Sequence, residues 1–166
     1  MFVFLPISDE NPTTQKPLLT WSLIALNFLV FFYQLSLSDS ANQLLINEFG
    51  VKPSVFFEMS DFHTIITSAF MHAGWMHLLS NMLFLYIYGD NIESYLGRIN
   101  FLIFYVLGGV SAALLQAFFS GGVDVPMIGA SGCIAAIMGA YYVLYPKANI
   151  NAVSYTHLTL PTIVGV

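Results

Sequence analysis

Charge is what this sequence has least of. Of its 166 residues, 4 are Lys or Arg and 9 are Asp or Glu. The basic residues Lys16, Lys52, Arg98 and Lys147 are too few to neutralise a run of phosphates, so a nucleic-acid partner is not expected. Cysteine is reduced to Cys133, which rules out an internal disulfide and leaves the redox compartment unreadable. The opening also lacks a basic stretch followed by a long apolar run. Residues 1–5 are too short for one, and Asp9 and Glu10 follow, so no secretory signal peptide is expected. What fills the chain is apolar: 57% hydrophobic with 8% charged lies well outside the usual soluble composition.

The sparse charges fall so as to leave four long gaps. None lies between Lys16 and Asp39, Asp61 and Asp90, Arg98 and Asp124, or Asp124 and Lys147, gaps of 22, 28, 25 and 22 residues. A bilayer-crossing helix needs roughly 20, and a lone strand cannot satisfy its backbone in lipid. The expectation is an all-α polytopic membrane protein with spans at about 18–36, 74–89, 100–119 and 127–145. Buried helices of a soluble bundle would need polar outer faces, whereas 101–119 offers only Ser111 and Gln116 as clearly polar side chains. Four spans put Lys16, Arg98 and Lys147 on one side and Lys52 on the other, so the N-terminal segment 1–16 is expected in the cytoplasm. Residues 37–72 read as a large outer loop whose Leu44, Leu45, Phe49 and Phe56 suit the membrane interface.

Polar groups kept near a span are costly and so informative. His77 and Asn81 are four residues apart on one face of the second span, and His72 stands at its entrance. Helix capping and interhelical hydrogen bonds would account for them as well as chemistry would. The fourth span opens Pro126-Met127-Ile128-Gly129-Ala130-Ser131-Gly132-Cys133. Glycines there permit tight turns and close helix approach. A serine at a helix N-terminus is surrounded by unpaired N–H groups that could stabilise an oxyanion. A plain packing face fits this stretch too.

Together, Phe70-Met71-His72-Ala73-Gly74-Trp75-Met76-His77-Leu78-Leu79-Ser80-Asn81 and Gly129-Ala130-Ser131-Gly132 resemble the rhomboid family of intramembrane serine proteases. The run Gly89-Asp90-Asn91-Ile92-Glu93 with Leu96-Gly97 looks like that family's turn between its second and third core helices, and Tyr145-Pro146-Lys147 like the end of its fourth. The resemblance spans about residues 15–151 and implies a partial peptidase domain over 17–151, with four transmembrane helices of an expected six. It implies Ser131 as nucleophile, with His77, Asn81 and the Ser131 backbone N–H binding the oxyanion. Gly129 would keep the serine loop tightly turned. His72 would support the outer loop, and Glu93 would be a structural tie near the cytoplasmic end of the second span. Implied partners are membrane lipids and single-pass transmembrane substrates cut near the outer face, with no cofactor and no metal. The compact core suggests a bacterial inner membrane.

The family's catalytic histidine comes from its sixth core helix, and nothing after Asn151 supplies one. Residues 152–166 are too short for two more spans and look foreign to the family. His157 is the only later histidine, but it is expected past the cytoplasmic end of the fourth span, opposite Ser131. The chain is therefore expected to be an incomplete, inactive piece of a protease. The alternative is a non-proteolytic rhomboid-like protein that binds transmembrane helices. A metal enzyme using His63, His72, His77 and Asp61 lacks a His-Glu-x-x-His motif. A transporter would call for charged residues or an inverted repeat, neither of which is evident.

Overall fold

A computed structural model describes residues 3–11, 13, 15–58, 60–120, 123–148 and 150–155. Helix α1, Leu18–Ser36, leads into the long connection expected as an outer loop, which contains α2 (Asp39–Phe49), α3 (Ser54–Glu58), α4 (His63–Thr67) and a 3-10 turn, Ser68–Phe70. Three long elements follow: α5 (Trp75–Leu96), α6 (Arg98–Phe119) and α7 (Ser131–Leu144).

The all-helical expectation needs one amendment. Strand β1, Val3–Asp9, pairs antiparallel with β2, Ile150–Tyr155, in a two-stranded sheet. This brings together the segment before α1 and the segment after α7. Backbone pairing between segments so far apart has no local sequence signal. The reading of His157 lies outside the described residues.

The helices turn broad apolar faces outward, and α1 also turns polar residues inward. Along α1 the buried face is Thr20, Leu23, Asn27, Phe31 and Gln34, a stripe at helical spacing. Leu26, Leu29, Phe32, Tyr33 and Leu35 face outward, Leu29 with 66% of its surface exposed. On α6, Ile103, Leu107, Leu114, Leu115 and Phe118 do the same. Water would penalise such continuous apolar faces, whereas lipid favours them. Both α1 and α6 are long and apolar enough to cross a bilayer, and α7 is apolar but shorter, at 14 residues.

Helix α5 is central, with Leu78, Leu85 and Ile92 fully buried. It runs straight through the Gly89-to-Glu93 stretch that the resemblance assigns to a turn, and the chain reverses only at Gly97. That residue has φ +75°, in the left-handed region where glycine carries no steric penalty. Helices α6 and α7 touch through glycine. A Cβ on Gly108 would stand 2.6 Å from the Ala136 Cβ, and one on Gly132 would stand 2.6 Å from the Ala112 Cβ. Side chains of ordinary size would push these helices apart.

Glu93 closes the end of the bundle where α1 begins and α5 ends. Its carboxylate accepts from the Leu19 N–H at 3.0 Å and from the Thr20 N–H and hydroxyl at 2.8 Å each. These are N–H groups of the first turn of α1, which have no partner within their own helix. An acid there also suits the positive end of the helix dipole. Glu93→Ala strips three donors of their acceptor, two of them buried, and we expect it to destabilise the fold by about 3 kcal/mol. The thermal midpoint in detergent should fall clearly, and Glu93→Gln, which retains one acceptor oxygen, should fall less.

Candidate active site

Ser131 is the first residue of α7 and is exposed. The N–H groups at the start of α7 lack intrahelical acceptors, and the helix dipole adds positive potential at the same end. Just before it, Gly129 has φ +119°, and its N–H donates to the Ser68 carbonyl at 2.8 Å.

The contact that assembles the site is between Gly129 and His77. A Cβ at Gly129 would lie 2.6 Å from His77 Cε1 and 2.7 Å from Nε2. The imidazole thus rests directly on the serine loop, in space only glycine leaves open. The Ala73 N–H points at His77 Nδ1 across 3.5 Å, a long contact. With Nδ1 as acceptor, the ring proton sits on Nε2, on the side facing the loop. His77 then presents an N–H donor beside Gly129, two residues before Ser131.

Asn81 is buried one turn further along α5. Its amide donates to the His77 carbonyl at 2.9 Å, which leaves a second N–H on the same nitrogen for another acceptor. Ser80 donates to that carbonyl too, at 3.1 Å. Of the expected residues, Gly129 and His77 are in contact and Ser131 follows two residues on, whereas Asn81 points its bond back to its own helix.

His72 is buried behind them. Its ring meets the His77 ring edge to face, with centroids 5.0 Å apart, and its backbone N–H donates to Gln34 Oε1 at 2.9 Å. Neither of its ring nitrogens finds a partner of good geometry among the described residues. Burial first, and the neighbouring His77 second, lower its pKa from 6.5 to about 4. Between those values the unfolded chain binds the extra proton, so stability is full above pH 6.5 and is lost as pH falls toward 4. We expect the thermal midpoint in detergent to fall through that window, and the fall to flatten in His72→Gln.

Several site residues carried no signal at the sequence level. Gln34 is one of two amides in an apolar span, with Asn27, and its polarity was the available clue. Ser68 acts through its backbone, which no side-chain pattern reports. Glu93 lies at the opposite end of α5 from His77 and takes no direct part here. His63, His72 and His77 are not gathered with other ligating side chains into a metal-binding group among the described residues.

A cavity of about 160 Å³ opens beside Ser131. Gly109, Ala112, Gly132 and Met127 line it, with Ser68 and Gln116 as polar walls.

This arrangement can be compared with known proteins. The family description "Rhomboid domain" matches residues 59–165, which includes Ser131, His77 and the strand β2. The chain belongs to the rhomboid family. It is similar to rhomboid protease GluP of Bacillus subtilis, 31% identical over 125 residues, which cover 75% of this chain and 24% of GluP. Rhomboid protease AarA of Providencia stuartii is 30% identical over 149 residues, 80% of this chain and 53% of AarA. Rhomboid protein 1 of yeast mitochondria is 32% identical over 91 residues, 52% of this chain and 26% of that protein. This rhomboid thus spans between a quarter and about half the length of these relatives. With the apolar outer faces of α1 and α6, the family makes it an integral membrane protein.

Proposed function

We propose that this rhomboid is the part of an intramembrane serine endopeptidase that carries the nucleophile and the oxyanion site. The observation that carries the reading is the His77 imidazole seated on Gly129, two residues before Ser131. In the proposed reaction Ser131 Oγ attacks a peptide carbonyl of a membrane-anchored substrate. The developing oxyanion takes hydrogen bonds from His77 Nε2, the Ser131 N–H and the free Asn81 N–H. A peptide bond inside lipid is reached by water only through a polar opening, and the exposed start of α7 with its adjoining cavity suits that need.

A serine hydroxyl needs a base to take its proton, and His77 faces the loop as a donor. We place the base on a histidine carried by a helix outside these 166 residues, as the family resemblance implies. The open face of α7 supports this: Ser131, Ala135 and Gly139 are exposed in line, and a Cβ on Gly139 would meet nothing within 4 Å. A neighbouring helix could approach there and set a side chain beside Ser131. The chain alone is accordingly inactive in this reading.

The proposal includes four spans, α1, α5, α6 and α7, with peptidase-domain residues over 17–151 and the N-terminus in the cytoplasm. The balance of Lys16, Arg98 and Lys147 against Lys52 supports that orientation, and the resemblance to bacterial proteases supports a bacterial plasma membrane. Ser131 then lies toward the outer face, where cleavage occurs. The test is reconstitution of the complete protein in liposomes with single-pass substrates. Cleavage mapped by mass spectrometry near the outer end of the substrate helix supports the reading. Substrate helices bound but left intact would favour the non-proteolytic alternative.

A further inference from the structure

We infer that residues 50–54 of the outer loop are a clip on the serine loop, with Gly50 and Asp124 as positioning residues for Ser131. The inference deepens the proposed function and rests on Ser131 being the nucleophile.

The clip is built from both backbone and side chain. Val51 and Met127 exchange two backbone hydrogen bonds, at 3.1 and 2.8 Å, as an isolated antiparallel bridge. Nearer α6, the Asp124 carboxylate accepts from the Ser54 N–H and the Ser54 hydroxyl, both at 3.0 Å. Nearer α7, the Gly129 N–H donates to Ser68 O at 2.8 Å. The Thr67 hydroxyl donates to Phe49 O at 2.8 Å, so the two outer-loop stretches that hold the serine loop also hold each other. Val51 and Val55 are buried against Ala113 of α6, which roots the clip in the bundle.

Gly50 is required by space and not by its torsion, since its φ of −75° suits any residue. A Cβ there would lie 2.5 Å from Ile46 O, 2.9 Å from the Pro126 Cβ and 3.3 Å from Ile128 Cγ2. Pro126 and Ile128 flank Met127, so the added atom would lever the serine loop off its bridge. The loop cannot absorb this by sliding, because Gly129 is held between Ser68 O and the His77 ring. A displacement at 126–128 is therefore passed through Gly129 to Ser131 and to the free N–H groups of α7.

The test reads the geometry of position 131 without requiring catalysis. The full chain carrying Ser131→Cys and Cys133→Ala is held in detergent, and alkylation of the new thiol is followed against pH. A thiol at a helix N-terminus has a lowered pKa, so the profile reports how well the α7 N–H groups are aimed. Gly50→Ala and Asp124→Ala should each slow alkylation at neutral pH by about threefold and move its profile to higher pH. Asp124→Asn, which keeps an acceptor for the Ser54 N–H, should restore much of the rate. Gly74→Ala is the control, because a Cβ there meets nothing within 4 Å. Identical profiles in all variants, or equal slowing by Gly74→Ala, would overturn the clip. Should Gly50→Ala fail to fold, the exposed Asp124 pair carries the test alone. Failure of the protease reading would appear instead as cleavage that survives Ser131→Ala, and would leave these alkylation rates as they are.

Discussion

Ser131→Ala is expected to abolish cleavage of a membrane-anchored substrate by the complete protein, with a loss on the order of 10⁴-fold or more. The size follows from the lack of a second activated nucleophile among the described residues, since the Ser68 hydroxyl in the same cavity donates to the Ile65 carbonyl at 3.3 Å. His77 faces the loop as a donor, Asn81 is an amide, and Cys133 is buried against Gly109. Folding should be spared, because Ser131 is exposed and its hydroxyl makes no hydrogen bond to the bundle among the described residues. Substrate binding and the thermal midpoint should therefore match the parent while turnover disappears. A cleavage assay in liposomes, run beside a detergent melt, separates the two effects.

Gly129→Ala should come next in severity, lowering turnover by about a hundredfold or more. Two penalties coincide there. The positive φ of +119° is one that L side chains adopt only with strain. The added Cβ would also overlap the His77 ring, at 2.6 and 2.7 Å from Cε1 and Nε2. The ring must move away or the loop must unturn, and in either case the Nε2 donor leaves its place relative to Ser131. The effect should fall on kcat more than on KM, since it removes an interaction made with the transition state. In these 166 residues alone, Gly139→Ala should leave the thermal midpoint unchanged, because its Cβ position is open there.

How much of this was legible in the sequence varies from element to element. The apolar helices α1 and α6 were readable because lipid-facing surfaces leave charge-free runs, and a run needs no knowledge of its partners. The family could be read because Ser131 with its glycines, and His72, His77 and Asn81 with their spacing, are local patterns. Their mutual contact was not local: the distance from the His77 ring to Gly129 depends on how α5 and α7 pack. Glu93 could be marked as a tie, but its partners at Leu19 and Thr20 lie more than 70 residues away. The resemblance placed the turn over Gly89 to Glu93 with Leu96 and Gly97, and of these only Gly97 lies outside the helices. In the structure Gly89 instead lets α5 pass close to Thr20, 2.9 Å from where its Cβ would be. The β1–β2 pairing and the Val51–Met127 bridge are backbone events with no side-chain signature.

The most direct test of the central claim is to treat the complete protein with a fluorophosphonate and map the adduct by mass spectrometry. Such a reagent captures a serine only where a base and an oxyanion site act on it together. The account predicts a single adduct on Ser131, absent from Ser131→Ala and much reduced in Gly129→Ala. An adduct on another serine, or none at all in a preparation that still cleaves substrate, would contradict it.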